Sequence, residues 1–150
     1  MMKKMILALM TLALAGCLAS CGGGDGYRDG SYRAEAKNYD DHGWKEYVVV
    51  TVKDGKITEV EFDAVNKDDS RKKTEDDEYK EAYLGAELGT YPEDYTAKLE
   101  DSLIERQSAD SVDTVAGATN SSKSFKKLVK ALEGPMKKGK KDIVTVDTES

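Results

Sequence analysis

The stretch from Tyr47 to Ala64 constrains the fold more than any other part of this 150-residue chain. Tyr47 to Val52 is rich in valine, whose stiff branched side chain suits a pleated surface. Asp54-Gly55 is a hairpin signal, and Ile57 to Ala64 supplies the second strand. A two-residue loop at Asp54-Gly55 pairs Val50 with Glu59 and Val48 with Glu61. A three-residue loop, Lys53-Asp54-Gly55, pairs Val48 with Val60 and Val50 with Thr58. The second choice gathers Val48, Val50, Val52, Thr58, Val60 and Phe62 on one face. It also puts Gly55 in the left-handed position of a bulge. A one-residue slip turns every side chain to the opposite face, so the three-residue loop is expected.

Around this hairpin the order of elements is legible. Tyr32, Ala34 and Ala36 alternate with Arg33, Glu35 and Lys37, the pattern of a half-buried strand. Tyr39 to Gly43 breaks it. Asn66 to Asp77 is charged and has no apolar period, so it reads as a solvated loop. Tyr79, Ala82, Tyr83 and Ala86 recur at helical spacing. Tyr91-Pro92 opens a further helix, since proline is tolerated at the first helical position, and Tyr95, Leu99, Ser102 and Leu103 form its inner stripe. Phe125, Leu128, Val129 and Leu132 mark the last helix, with Gly134-Pro135 as its stop. Ile143, Val144 and Val146 form a closing strand or a loose tail. No repeat is visible. Strands before helices imply an α+β fold, a small antiparallel sheet from the N-terminal strands and hairpin packed with about three helices.

The first twenty residues are of another kind. They hold 15 of the chain's 58 hydrophobic residues and two charges, Lys3 and Lys4. A basic start, an uncharged run from Met5 to Ala15 and then small residues read as a secretory signal, too short for a span of roughly 20 residues. Leu14-Ala15-Gly16-Cys17 and Leu18-Ala19-Ser20-Cys21 each resemble the lipobox of bacterial lipoproteins, in which the cysteine carries the lipid. Cys21 is the expected lipid site and Cys17 the alternative. The chain thus divides into a signal peptide (1–20), a lipidated cysteine with a glycine-rich tether (21–28), a folded domain (29–134) and a basic C-terminal strand or tail (135–150). Without the leader, 21 basic side chains face 29 acidic ones, a formal charge of −8. Such a chain is a poor nucleic-acid binder, because phosphate contacts need clustered Lys and Arg.

One stretch carries chemistry. Asp113-Thr114-Val115-Ala116-Gly117-Ala118-Thr119 presents a hydroxyl on a glycine turn, just before an amphipathic helix. Ser121, Ser122 and Ser124 stand in its first turn as capping and hydrogen-bonding groups. The unpaired N–H groups of a helix start favour an anion such as phosphate. A capped helix after a tight turn is the plainer reading of the same residues.

This stretch resembles the attachment motif of the FMN-binding domain family, which runs Asp, two variable positions, Ser or Thr, then Gly-Ala-Thr. Asp113, Gly117, Ala118 and Thr119 match, and Ala116 departs from the usual Ser or Thr. Asp29-Gly30-Ser31-Tyr32, Asp40-Asp41-His42-Gly43-Trp44, Val52-Lys53-Asp54-Gly55-Lys56-Ile57 and Ser122-Lys123-Ser124-Phe125-Lys126-Lys127-Leu128 also look like the family's small lipid-anchored members. The resemblance runs from about Tyr27 to Leu132. It implies FMN held by a phosphoester on Thr119, attached by a flavin transferase that consumes FAD. It further implies an extracytoplasmic carrier passing electrons from a membrane donor, such as a quinone-linked NADH dehydrogenase, to an external acceptor. A noncovalent FMN component and a surface lipoprotein that binds without flavin are the alternatives. Trp44 is the candidate to lie against the flavin, or else a core residue; His42 is a weaker candidate, more simply a surface turn. Lys123, Lys126, Lys127, Lys130, Lys137, Lys138, Lys140 and Lys141 read as a solvated basic face, as do the twelve carboxylates from Glu75 to Asp110. No metal site is expected.

Overall fold

The fold is given by a computed structural model that describes residues 26–149. The expected signal peptide, Cys17, Cys21 and the tether up to residue 25 lie outside the described residues. Four strands, β1 (Gly30–Ala36), β2 (Trp44–Lys53), β3 (Lys56–Asn66) and β4 (Val144–Val146), form one sheet in the order β3-β2-β1-β4. β1 and β3 both run antiparallel to β2, and β4 runs parallel to β1. Three helices, α1 (Asp77–Gly85), α2 (Pro92–Arg106) and α3 (Thr119–Lys138), complete an α+β fold with a mostly antiparallel sheet.

The inward positions of the strands are the alternating ones. Tyr32, Ala34, Val48, Val50, Val52, Ile57 and Phe62 are buried against Tyr95, Leu99 and Leu103 of α2 and Phe125, Leu128, Val129, Leu132 and Met136 of α3. Phe62 and Phe125 meet edge to face, 5.0 Å between ring centres, a pair that adds about 0.5–1.5 kcal/mol beyond the burial of the two rings. Pro92 opens α2 at its first position, with Glu93 and Asp94 in the positive first turn and Arg106 in the last. Gln107 then takes a left-handed conformation, φ 60°, and turns back to the sheet. Its amide accepts from the Ile57 N–H at 2.8 Å and donates to the Ile57 carbonyl at 2.8 Å.

Three local expectations are corrected. The hairpin loop has two residues, Asp54 and Gly55, with φ of 53° and 77°, and Lys53 pairs with Lys56. Positive φ at both positions gives a turn whose twist matches the strands. The pairing slips between Thr51 and Val52, so that Val50 faces Val60 and Val48 faces Phe62. The bulge lies inside the ladder and not in the loop, and the expected inner valines are kept. Second, α3 does not stop at Gly134-Pro135; it runs on to Lys138 and ends at Gly139, φ 70°. Met136 is fully buried, so the extra turn covers more core than a proline in the final turn disrupts. Third, Asn66 to Asp77 is not a solvated loop throughout. A one-turn 3-10 helix at Lys73–Glu75 buries Lys73, and the buried Asp76 caps α1 by accepting from the Tyr79 N–H at 3.0 Å. Thr74 donates its hydroxyl to Asp63 at 2.6 Å, which holds the segment on β3.

Candidate functional site

The start of α3 is built around Gly117. Its φ is +84°, and the backbone carbonyl of Leu88, in the α1–α2 loop, stands where a Cβ would go. A glycine is therefore required twice over, by conformation and by contact. The Ala118 N–H closes the turn on the Val115 carbonyl at 3.0 Å. Ser122, fully buried, fastens it: the hydroxyl accepts from the Val115 N–H at 3.0 Å and donates to the Ala118 carbonyl at 2.7 Å. Ser121 turns to the sheet and donates to Glu46 of β2 at 2.9 Å. These serines thus do not cap the helix. The N-cap residue is Ala118, which has no side chain to do so. The N–H groups of Thr119, Asn120 and Ser121 have no partner among the described residues. Thr119 is exposed at the first helical position, next to those free donors.

A cleft of about 350 Å³ has Asn120, Ser121 and Ser124 on its α3 side; Thr119, one residue earlier, is not in its lining. Trp44, Tyr79 and Tyr83 supply the aromatic wall, and Glu46 and Lys73 are also in the lining. Trp44, the chain's one tryptophan, is 3% exposed and meets Tyr79 edge-on at 5.6 Å. It is at once a packed residue and a cleft residue. Its position is fixed by Asp40, whose carboxylate accepts from the N–H groups of His42 at 2.9 Å and Trp44 at 2.8 Å. His42 is exposed at the rim, its ring 6.4 Å from that of Tyr79. Tyr83 continues the aromatic row inward to Tyr95, 5.9 Å away.

The electrostatics of the cleft are set by burial. Desolvation raises the Glu46 carboxyl above its ordinary range, against the pull of Lys73 and of hydrogen bonds from the α3 serines. Desolvation lowers the Lys73 ammonium, against Glu46, Asp40 and Asp63. Burial likewise raises the phenols of Tyr79 and Tyr83, which stay neutral donors at physiological pH.

Of the residues expected from sequence, Gly117, Ala118, Thr119 and Ser122 come together at the start of α3, with Trp44 and His42 on the adjoining cleft. Asp113 lies apart from the cleft, exposed, and pairs with Arg106 of α2 at 3.3 Å. Tyr79 and Tyr83 were legible only as a helix face, and Glu46 and Lys73 were not legible at all. Glu46 reads as an ordinary strand charge, and Lys73 sits in a run of charges without period. The one usable signal is the pair of tyrosines at i and i+4 on a helix otherwise poor in apolar residues.

Comparisons with known proteins give the family. The model of the FMN-binding domain family matches residues 42–132. The 15 kDa lipoprotein of Treponema pallidum is 34% identical over 116 residues, covering 77% of this chain and 81% of that one. The crystal structure of a Clostridium perfringens protein shares 40% identity with a TM-score of 0.77, covering 82% of this chain and 99% of that one. The residues present fit FMN. The cleft lies within the roughly 300–1,000 Å³ of small-molecule sites; Trp44, Tyr79 and Tyr83 form one side of an otherwise polar lining that includes Asp40, Asp41, Glu46 and Glu149, and N–H groups of the first turn of α3, without partners among the described residues, are suited to phosphate. The chain belongs to the FMN-binding domain family, and FMN is its cofactor.

Proposed function

We propose that this protein is an extracytoplasmic, lipid-anchored electron carrier whose FMN is bound covalently through a phosphoester to Thr119. The observation that carries the reading is the exposed Thr119 at the start of α3, beside three N–H groups with no partner among the described residues and one residue before Asn120, which lines the cleft. FMN bound there supplies one- and two-electron redox chemistry that no side chain can. The chain's own residues do the rest. Gly117 and Ser122 hold Thr119 outward for a flavin transferase. The donors of the first turn stabilise the remaining phosphate charge. Trp44, Tyr79 and Tyr83 offer flat apolar surface for the ring, with His42 at its rim, and exclude water from one side of it. Ala116, in place of the usual Ser or Thr, removes one hydroxyl beside the acceptor and leaves the acceptor itself.

Anchoring is supported by the two lipobox-like sequences and by the lipoprotein name of the Treponema relative. A cofactor outside the cytoplasm has no local supply, which favours a covalent bond over exchange. The donor is a membrane reductant of the quinone-linked NADH dehydrogenase class.

The test is co-expression with a flavin transferase, followed by intact mass and absorbance before and after denaturation. The expected result is an added mass and colour that survive denaturation, both absent in Thr119→Ala. A coloured protein of unmodified mass that bleaches on denaturation would contradict the covalent bond and leave noncovalent FMN.

A further inference from the structure

Lys73 is the one buried cation in the cleft lining. It is 5% exposed, and its ammonium stands 4.7 Å from the ring centre of Tyr79. The side chain is buried, while the ammonium nitrogen itself is not an orphaned buried atom and opens onto the cleft. Among the described residues no carboxylate oxygen lies within 4.0 Å of this ammonium. The nearby carboxylates are engaged elsewhere. Glu46 accepts from Ser121 at 2.9 Å, and Asp40 accepts from two backbone N–H groups. Asp63 accepts from the Thr74 hydroxyl at 2.6 Å and from the N–H groups of Thr74 and Ala64 at 3.2 and 2.8 Å. The carboxylates favour the charge at a distance, and none of them pairs with it. An ammonium left in this state on a cleft wall is arranged for an electron-rich ligand.

We propose that Lys73 is the electrostatic partner of the reduced flavin and sets its redox potential. This rests on the reading of the cleft as the ring site. With the phosphate assigned to Thr119 and the free donors of α3, the ring is the part of FMN left for the Trp44, Tyr79 and Tyr83 wall that Lys73 adjoins. Uptake of two electrons and one proton leaves one added negative charge in the cleft. Under the proposed function the membrane reductant of the quinone-linked NADH dehydrogenase class supplies both electrons and is itself oxidised by two electrons, and the proton comes from solvent. The fixed ammonium stabilises that added charge over the neutral oxidised form, in a site where little water screens it. Lys73 thereby raises the potential without exchanging a proton or forming a bond.

The experiment is a spectroelectrochemical titration of flavin-loaded protein, with an electrode supplying electrons and buffer the proton. Lys73→Met keeps the length and apolar contacts of the side chain and removes its charge; Lys73→Gln is titrated beside it in case either variant folds poorly. Both neutral variants are expected to disfavour the reduced state at least tenfold, about 30 mV lower for a two-electron couple. Lys73→Arg is expected to stay near the wild-type potential. Flavin-loaded Lys73→Met or Lys73→Gln titrating at the wild-type potential would overturn the proposal alone. A wild-type protein that takes up no flavin under the same co-expression would overturn the reading on which it rests, and the proposal with it.

Discussion

Gly117 carries two constraints in one residue, a positive φ and the Leu88 carbonyl pressed against it. Gly117→Ala is expected to cost about 1–3 kcal/mol in urea unfolding and to displace the α1–α2 loop. Ser122→Ala leaves the Val115 N–H without its acceptor and is expected to cost about 1–3 kcal/mol, with slower flavin attachment. A third prediction concerns pH. Burial against β3 pushes the Glu100 carboxyl up to about 7, although the Phe62 N–H donates to it at 2.7 Å; Asp101, Asp63 and Glu61 raise it further. Its folded-state value lies above the ordinary 4.5, so the folded chain holds the proton more tightly. The stabilisation is complete below pH 4.5 and is lost as pH rises through 7. Glu100→Gln should remove that slope. Relative to wild type it should gain on the order of 1 kcal/mol between those limits, a figure reduced for solvent screening, as read by denaturation at several pH values. At this scale the glycine turn that sets Thr119 at the start of α3 was legible, since both residues belong to a short local motif. Lys73 and Glu46 were not, because their roles depend on which distant side chains bury them.

The elements repeat the contrast. Period-two and helical patterns located β1 to β3 and the inner faces of α2 and α3, because alternation follows directly from which side faces the core. The hairpin register was missed by two residues, since a bulge can sit anywhere in a ladder; the bulge keeps Val48, Val50 and Val52 inward but buries Ile57 and leaves the expected Thr58 exposed. The continuation of α3 through Pro135 was missed because local propensity argues for a stop there, while Met136 finds a place in the core. β4 has only three residues and pairs with β1, whose neighbour on the other side is β2. Its pairing covers the edge of β1. Truncation after Lys141 should therefore lower the melting temperature and promote self-association, measured by thermal unfolding and size-exclusion chromatography.

At the scale of the whole molecule, the proposed function assigns location to the N-terminal residues and flavin binding to the folded domain. A formal charge of −8 on the residues after the first twenty discourages the domain from lying on anionic lipid. Among the described residues no helix is long and apolar enough to cross a membrane. Cys21→Ala is expected to move the protein into the aqueous phase of a detergent partition, while Cys17→Ala stays with the detergent. The account as a whole depends on one bond. Mass spectrometry of the tryptic peptide from Gln107 to Lys123, from protein co-expressed with a flavin transferase, tests it most directly. The predicted result is that peptide carrying the mass of FMN less one water, with fragment ions placing it on Thr119. FMN mass on Thr114 or on a serine of that peptide, or flavin-coloured protein yielding only the unmodified peptide, would contradict it.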